Sequence, residues 1–307
     1  MTSPILFRPG TLWPETLART RSALAAKALL PIATDSCRID DAGIAFAVRK
    51  VSSLARKDDA GRHVTARPGP AADPFLPCEQ QLQVAAVTPT HVALLNKFSV
   101  IEHHLLLVTR HFEAQETLLT ADDFLAQAAC LREIDGLAFY NGGKTAGASQ
   151  AHKHLQLVPL PLAVGPAGVP VEPLFAALRG RTGPCTVPGL AFRHAFAWLD
   201  EGSLSDLPRA AGAHESAYRD LLAAAGLHGL PAGAGQRQSG PYNLLATRRW
   251  MLLVPRSREC FATLSLNALA YAGALFVRND AELALLRRAG PMTVLRELAL
   301  PAQAQRS

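Results

Sequence analysis

Phe139-Tyr140-Asn141-Gly142-Gly143-Lys144-Thr145-Ala146-Gly147-Ala148-Ser149-Gln150-Ala151-His152-Lys153-His154-Leu155-Gln156 is the stretch that decides how this chain folds. Leu137 to Tyr140 reads as a strand, Asn141 to Gln150 as a glycine-rich loop, and His152 to Leu160 as the next strand. In a strand, alternate side chains share a face, so His152, His154 and Gln156 line up on one side. Lys153, Leu155 and Leu157 turn to the other. A neutral imidazole is a competent nucleophile toward phosphorus, and a glutamine amide can donate a hydrogen bond to a phosphate oxygen. His152 can support the site by hydrogen bonding. The preceding loop has three glycines, whose backbone N–H groups can approach an anion closely, with Lys144 and Ser149 as further donors. The segment points to phosphate chemistry with His154 as nucleophile.

Outward from it, two apolar runs, His91–Asn96 and His104–Thr109, read as adjacent strands. Thr120 reads as the cap of a helix with Asp122 and Asp123 in its first turn, and Gly136 as its stop. The N-terminal region reads as helical, with Ala and Leu spaced over Thr16 to Leu30. Ile44 to Val51 alternates as a strand, and 53–73 reads as a loop. Pro159 to Pro188 is a connection or an irregular insert. Beyond it come a strand in Ala191–Leu199, a helix over His214–Leu227, and strands at Tyr242–Leu245 and Trp250–Val254. Helices are expected over Ser265–Phe276, Asp280–Ala289 and Met292–Leu298. The pattern predicts an α+β fold, with helices packed on an antiparallel sheet. The His103-His104 pair points to opposite faces if it lies on a strand, and reads as structural.

The chain has 307 residues, 49% apolar and 18% charged, with a formal net charge of +6. That is a globular balance. No apolar run is long enough for a transmembrane helix, and the start lacks the order of a signal peptide, so a cytoplasmic enzyme is expected. The basic residues are scattered rather than in blocks, which favours a small polyanionic substrate over nucleic acid. Cys37, Cys78, Cys130, Cys185 and Cys260 include no Cys-x-x-Cys pair and read as buried thiols. His152 and His154 could share a zinc ion, but no third ligand is evident nearby.

With its loop, the His-x-His-x-Gln segment resembles the ATP adenylyltransferases, also called diadenosine tetraphosphate phosphorylases, of the histidine-triad superfamily. Asn96-Lys97-Phe98 followed by His104-Leu105-Leu106-Leu107-Val108-Thr109-Arg110 is similar to that family's N-terminal half. Tyr242-Asn243-Leu244-Leu245-Ala246-Thr247-Arg248-Arg249-Trp250-Met251, with Val254-Pro255-Arg256-Ser257, is similar to its C-terminal part. The resemblance implies a histidine-triad-like antiparallel sheet with packed helices and a C-terminal segment completing the site. It implies a catalytic part over 1–190 and a C-terminal segment over 191–307 that packs on the same core. It further implies reversible phosphorolysis of diadenosine tetraphosphate to ATP and ADP through an adenylylated His154. Gln156 stands where the smaller triad hydrolases have a third histidine. By the same resemblance, substrate contacts fall to Asn96, Lys97, Asn141, the phosphate loop Gly147, Ala148, Ser149 and Gln150, and a lysine for which Lys50 and Lys57 both qualify, with Lys57 favoured. Asn243, Thr247, Arg248 and Met251 are expected where the C-terminal segment closes on substrate. Mg²⁺ is expected to accompany the nucleotide, with no organic cofactor, and the protein to be a monomer or small homo-oligomer. A sugar-1-phosphate uridylyltransferase is the nearer alternative, but Lys153 and Leu155 replace the prolines often found between its motif residues. A non-catalytic nucleotide sensor is the more distant one.

Overall fold

The two apolar runs do pair: β4 (His91–Leu95) lies antiparallel to β5 (Leu105–Thr109), with Leu94 opposite Leu106. They belong to an eight-stranded antiparallel sheet in the computed structural model, which describes residues 4–51, 73–163, 168–233 and 235–302. Its other strands are β3 (Gln83–Ala86), β6 (Gly136–Gly142), β7 (His154–Pro159), β8 (Ala195–Trp198), β11 (Tyr242–Ala246) and β12 (Trp250–Pro255). The spatial order is β3-β4-β5-β7-β6-β11-β12-β8. The central strands are buried along almost their whole length, which explains their unbroken apolar runs: both faces of the sheet are covered.

On one face lie α1 (Leu12–Ala25), α2 (Ala121–Glu133) and α3 (Leu207–Ala224), packed on Leu107, Ala138, Tyr140, Leu155, Leu244 and Met251. The alternate residues Leu137, Phe139, Leu245 and Leu252 face a second layer. In that layer, β1 (Thr34–Asp41) and β2 (Ile44–Val51) form a hairpin that β15 (Ala274–Val277) joins in parallel, after a two-residue hairpin of β13 (Cys260–Phe261) and β14 (Leu264–Ser265). Around it are α4 (Ala268–Tyr271), α5 (Asp280–Ala289) and α6 (Pro291–Leu298). The layer covers the sheet over β6, β11, β12 and β8. Over β4 and β5, the same face is lined by Val92, Leu94, Leu106 and Val108 under Phe75. An open space is left where the second layer stops.

Several local expectations change. The first helix runs from Leu12 to Ala25 rather than over Thr16–Leu30, with Pro14 tolerated in its first turn. Leu30 lies beyond its end and donates its N–H to Lys97 O at 2.8 Å. Gly136 does not stop α2; Ile134 ends it in an extended conformation and Gly136 opens β6. A Cβ there would meet Leu157 Cδ1 and Val158 O at 2.8 Å, so this glycine serves close strand packing. The helix expected over Ser265–Phe276 shrinks to α4, because Gly273 adopts φ +91° and the chain turns into β15. The irregular connection Pro159–Pro188 is tied into the core: a 3₁₀ turn at Glu172–Leu178 buries Phe175 and Leu178 in the second layer. α3 starts at Leu207, earlier than expected, because Asp206 caps it by accepting from Arg209 N. The hairpin β9 (Gly229–Ala232) and β10 (Gly235–Gln238) had no clear sequence signal.

Candidate active site

β6 and β7 run antiparallel, and the loop between them returns the chain to the sheet end where Gly142, His154 and Tyr242 meet. His154 is the first residue of β7. Gln115 clamps its backbone, accepting from His154 N at 2.9 Å and donating to Asn141 O at 2.9 Å and His154 O at 3.3 Å. The His154 ring donates Nδ1–H to the carbonyl of His152 at 2.8 Å. Nε2 therefore carries the lone pair in the neutral ring, and it makes no hydrogen bond among the described residues. The side chain is 3% exposed and borders a cavity of about 670 Å³. Burial pushes its pKa down to about 4 against the His152 carbonyl, which favours the charged form; the His152 ring pushes it further down. At neutral pH His154 is an oriented, uncharged imidazole.

Gln156 lies on the same face. Asn96 Nδ2 donates to His104 Nδ1 at 3.2 Å, and His104 Nε2 donates to Gln156 Oε1 at 3.0 Å. This chain of donors fixes the glutamine amide with its carbonyl held by His104 and its NH₂ left for the cavity. Burial also lowers the His104 pKa to about 4, so it too is neutral.

His152 does not share the cavity. Its Nδ1 faces Asp73 Oδ2 at 2.7 Å and its Nε2 faces the Thr109 hydroxyl at 2.8 Å and carbonyl at 3.0 Å. With both nitrogens engaged it orients the strand start, and through its carbonyl it sets the His154 tautomer. β7 itself begins at His154, so only His154 and Gln156 of the three project from a strand. No group of three or more His, Cys, Asp or Glu placed to hold a metal occurs among the described residues.

The loop supplies the opposite wall. Gly147 needs its glycine twice over: φ is +91°, and a Cβ would meet Leu266 O at 2.9 Å and Asn267 Cα at 3.0 Å. Gly147 N donates to Lys144 O and Ala148 N to Gly143 O, so those amides are spent inside the loop. The N–H groups of Ser149 and Gln150 have no partner among the described residues, and both residues line the cavity. Asn141 also lines it. Its Oδ1 accepts from Asn243 Nδ2 and Ala268 N, both at 2.9 Å, which leaves its NH₂ as the group for a ligand. The Pro74, Phe75, Leu82 and Leu94 side is apolar and suits a flat ring, and Lys97, paired with Glu79 at 2.8 Å, stands among the remaining lining residues.

Residues 2–177 match the family described as Ap4A phosphorylase N-terminal domain, and residues 188–301 that described as ATP adenylyltransferase C-terminal domain. The chain belongs to the Ap4A phosphorylase family. It is 27% identical over 263 residues to diadenosine 5',5'''-P1,P4-tetraphosphate phosphorylase 2 of Saccharomyces cerevisiae, covering 75% of each chain. It is 27% identical over 244 residues to Protein APA1 of the same yeast, covering 68% of this chain and 69% of that one. The crystal structure of yeast Ap4A phosphorylase Apa2 superposes with a TM-score of 0.76 at 23% identity, covering 95% of this chain and 98% of that one. The Apa2 complex with Ap4A gives 0.72 at 22% identity, over 95% and 98%. These superpositions establish the fold, a mixed α and β arrangement on an antiparallel sheet.

Within this Ap4A phosphorylase fold, some expected contacts are displaced from the cavity. Thr247 and Arg248 sit in the β11–β12 turn, at the end of β11 remote from Gly142, about 13 Å along the strand from Tyr242. Arg248 instead donates to Leu131 O at 2.6 Å and Arg132 O at 3.1 Å, capping the last carbonyls of α2. Met251 is fully buried against the helices. Asn243 is not among the cavity-lining residues; its amide donates to Asn141 Oδ1 at 2.9 Å and to Ala146 O at 2.8 Å. Lys144 is exposed on a separate small cleft with Arg237 and Gln238. Lys50 is paired with Asp280 at 2.6 Å, outside the cavity lining, and Lys57 falls outside the described residues.

Sequence reasoning missed His104, Phe75 and Asp73, and the second-layer residues Asn267, Leu269 and Phe276 that close the cavity. His104 carried a usable signal, since it adjoins the run that pairs with the Gln156 strand. The others depend on long-range placement that no local pattern encodes.

Proposed function

We propose that this protein is an ATP adenylyltransferase that phosphorolyses diadenosine tetraphosphate to ATP and ADP, and runs in reverse. The lone pair of His154 Nε2 attacks an α-phosphorus; a P–N bond forms and the bridging P–O bond breaks, releasing ATP. An oxygen of inorganic phosphate then attacks the adenylyl phosphorus. A new P–O bond forms, the P–N bond breaks, and ADP leaves. The Ser149 and Gln150 amides, the Asn141 NH₂ and the Gln156 NH₂ surround the place where phosphate oxygens gather charge. Gln156 cannot titrate near neutral pH, so it offers water no general base on the intermediate. Lys97 is a charge for the outer phosphates. We propose that Mg²⁺ enters with the polyphosphate: the described lining offers Glu79 as its one carboxylate, already paired, so the phosphates are the harder ligands. A cytoplasmic location goes with five free thiols.

The observation that carries this reading is the Nε2 of a neutral His154, without a partner among the described residues, at the wall of a nucleotide-sized cavity in a chain of this family. The test is incubation with labelled diadenosine tetraphosphate. ADP and ATP should form with phosphate present and not without it, and H154A should lose at least about a thousandfold in rate while melting near the wild type. Turnover that ignores phosphate, or an active H154A, overturns the proposal. Binding without turnover indicates a sensor, and inertness toward this compound a different base.

A further inference from the structure

Arg256, from the Val-Pro-Arg-Ser segment, has no place in the chemistry above, yet it is 2% exposed and has no carboxylate within ion-pair distance among the described residues. Such a buried, unpaired cation is costly unless every donor is satisfied. Here every donor goes to a neutral oxygen. Nη1 reaches Asn243 Oδ1 at 2.8 Å, Leu266 O at 2.9 Å and Ala146 O at 3.4 Å. Nη2 reaches Arg258 O at 2.9 Å and Glu259 O at 3.1 Å, and Nε reaches Leu298 O at 3.3 Å. The guanidinium also sits over the Tyr271 ring, 5.6 Å from its centroid.

One of those contacts leads to the cavity. Because Arg256 donates to Asn243 Oδ1, the Asn243 amide must present its NH₂ the other way, to Asn141 Oδ1 at 2.9 Å and Ala146 O at 2.8 Å. Asn141 Oδ1 is thereby held on the protein side, and the Asn141 NH₂ faces the cavity. The Ala146 carbonyl, an acceptor that would repel phosphate, is drawn away from it in the same step. A neutral hydrogen-bonding residue at 256 could donate or accept; an arginine can only donate, so the polarity of the whole relay is fixed.

We propose that Arg256 is a positioning residue for nucleotidyl transfer, setting through Asn243 the donor orientation of Asn141 and the shape of the phosphate loop. The inference deepens the function proposed above and rests on it. It is tested by a double-mutant cycle on the full chain, with kcat and KM for diadenosine tetraphosphate measured for wild type, R256K, N141A and the double variant. R256K should lower kcat about tenfold with KM within about threefold, and should cost less than about twofold once Asn141 is gone. An equal loss in both backgrounds, or no loss in the first, overturns the relay. Should a variant fail to melt cooperatively, N243D decides: it still accepts from Arg256 but has no N–H for Asn141 or Ala146. Its ion pair with Arg256 should keep the melt cooperative, at a lower midpoint because a carboxylate oxygen then meets Ala146 O, and kcat should fall by at least about the same tenfold; wild-type kcat in N243D overturns the proposal. Reading the cycle on AMP affinity as well separates the two failures, because absence of turnover in the wild type counts against the reaction and not against the relay.

Discussion

Nε2 of His154 carries the ring's lone pair because Nδ1–H is held by the His152 carbonyl, and the ring is neutral because it is buried. The consequence for pH follows from the direction of the shift. His154 and His104 are held near a pKa of about 4, so kcat/KM should stay level on their account from pH 7 down to roughly 5 and fall below that as His154 Nε2 takes up a proton. A histidine with an ordinary pKa of 6.5 in the nucleophile's place would instead halve the rate near that pH, and a pH–rate profile separates the two. The same shifts act on stability with a definite sign. Below pH 6.5 the unfolded chain binds protons on these rings and the folded chain does not, so stability falls as pH drops from 6.5 toward 4. His214, on α3, joins them: burial pushes it to about 4 and neither ring nitrogen has a hydrogen-bond partner among the described residues. H214L removes a buried, unsatisfied polar group far from the cavity lining. It should raise stability by about 1–2 kcal/mol and flatten the acid limb, as urea titrations at pH 7 and pH 5 would show. Destabilisation at both pH values would mean that the ring has a role in packing.

At the scale of elements, Lys153, the residue before β7, ties the start of that strand to the start of α2. The alternation of the His-x-His-x-Gln segment correctly turned Lys153 away from His154, and the capping signal at Thr120 correctly started α2. Neither pattern shows that the two meet. Lys153 is fully buried, with Nζ on Asp123 Oδ2 at 2.7 Å and Glu113 Oε2 at 3.0 Å, and Asp123 also accepts from His91 at 3.1 Å and from Thr120 N at 2.8 Å. Burial alone would raise the Asp123 pKa, but the hydrogen bond from His91 and the Lys153 charge outweigh it and hold the carboxyl at about 2. Ion networks of this kind join residues some thirty positions apart and leave no trace in periodicity. K153M would strand the Asp123 anion inside the protein and should cost about 3–5 kcal/mol, measured by urea unfolding. Adding D123N should recover part of that cost, since the uncompensated charge is then gone. If the double variant is as unstable as the sum of its parts, the pair is not coupled.

For the whole molecule, what was legible and what was not divide along range. The strands at β4, β5, β6, β7, β11 and β12 and the helices α2, α5 and α6 declare themselves through local period and caps. The parallel entry of β15 beside β2, and the closing of the cavity by that second layer, do not, since they hinge on a left-handed Gly273 and on contacts more than two hundred residues apart. The eight-stranded sheet runs straight through the junction between the two family segments. β6 pairs with β11 over five positions, from Gly142 opposite Tyr242 to Ala138 opposite Ala246, and each of the two large cores draws side chains from both segments. Cutting the chain between 187 and 188 would expose β6 and β11 as long apolar edges and halve both cores, leaving neither piece enough buried surface to offset its chain entropy. Neither piece alone should therefore show a cooperative thermal transition. The intact chain should unfold in one step, with far-UV circular dichroism and tryptophan fluorescence giving the same midpoint. The fluorescence samples both segments, because Trp13 lies in the first and Trp198 and Trp250 in the second. A piece comprising 1–187 that melts sharply near the midpoint of the whole would show that the shared sheet is an interface between independent units and not one folding unit.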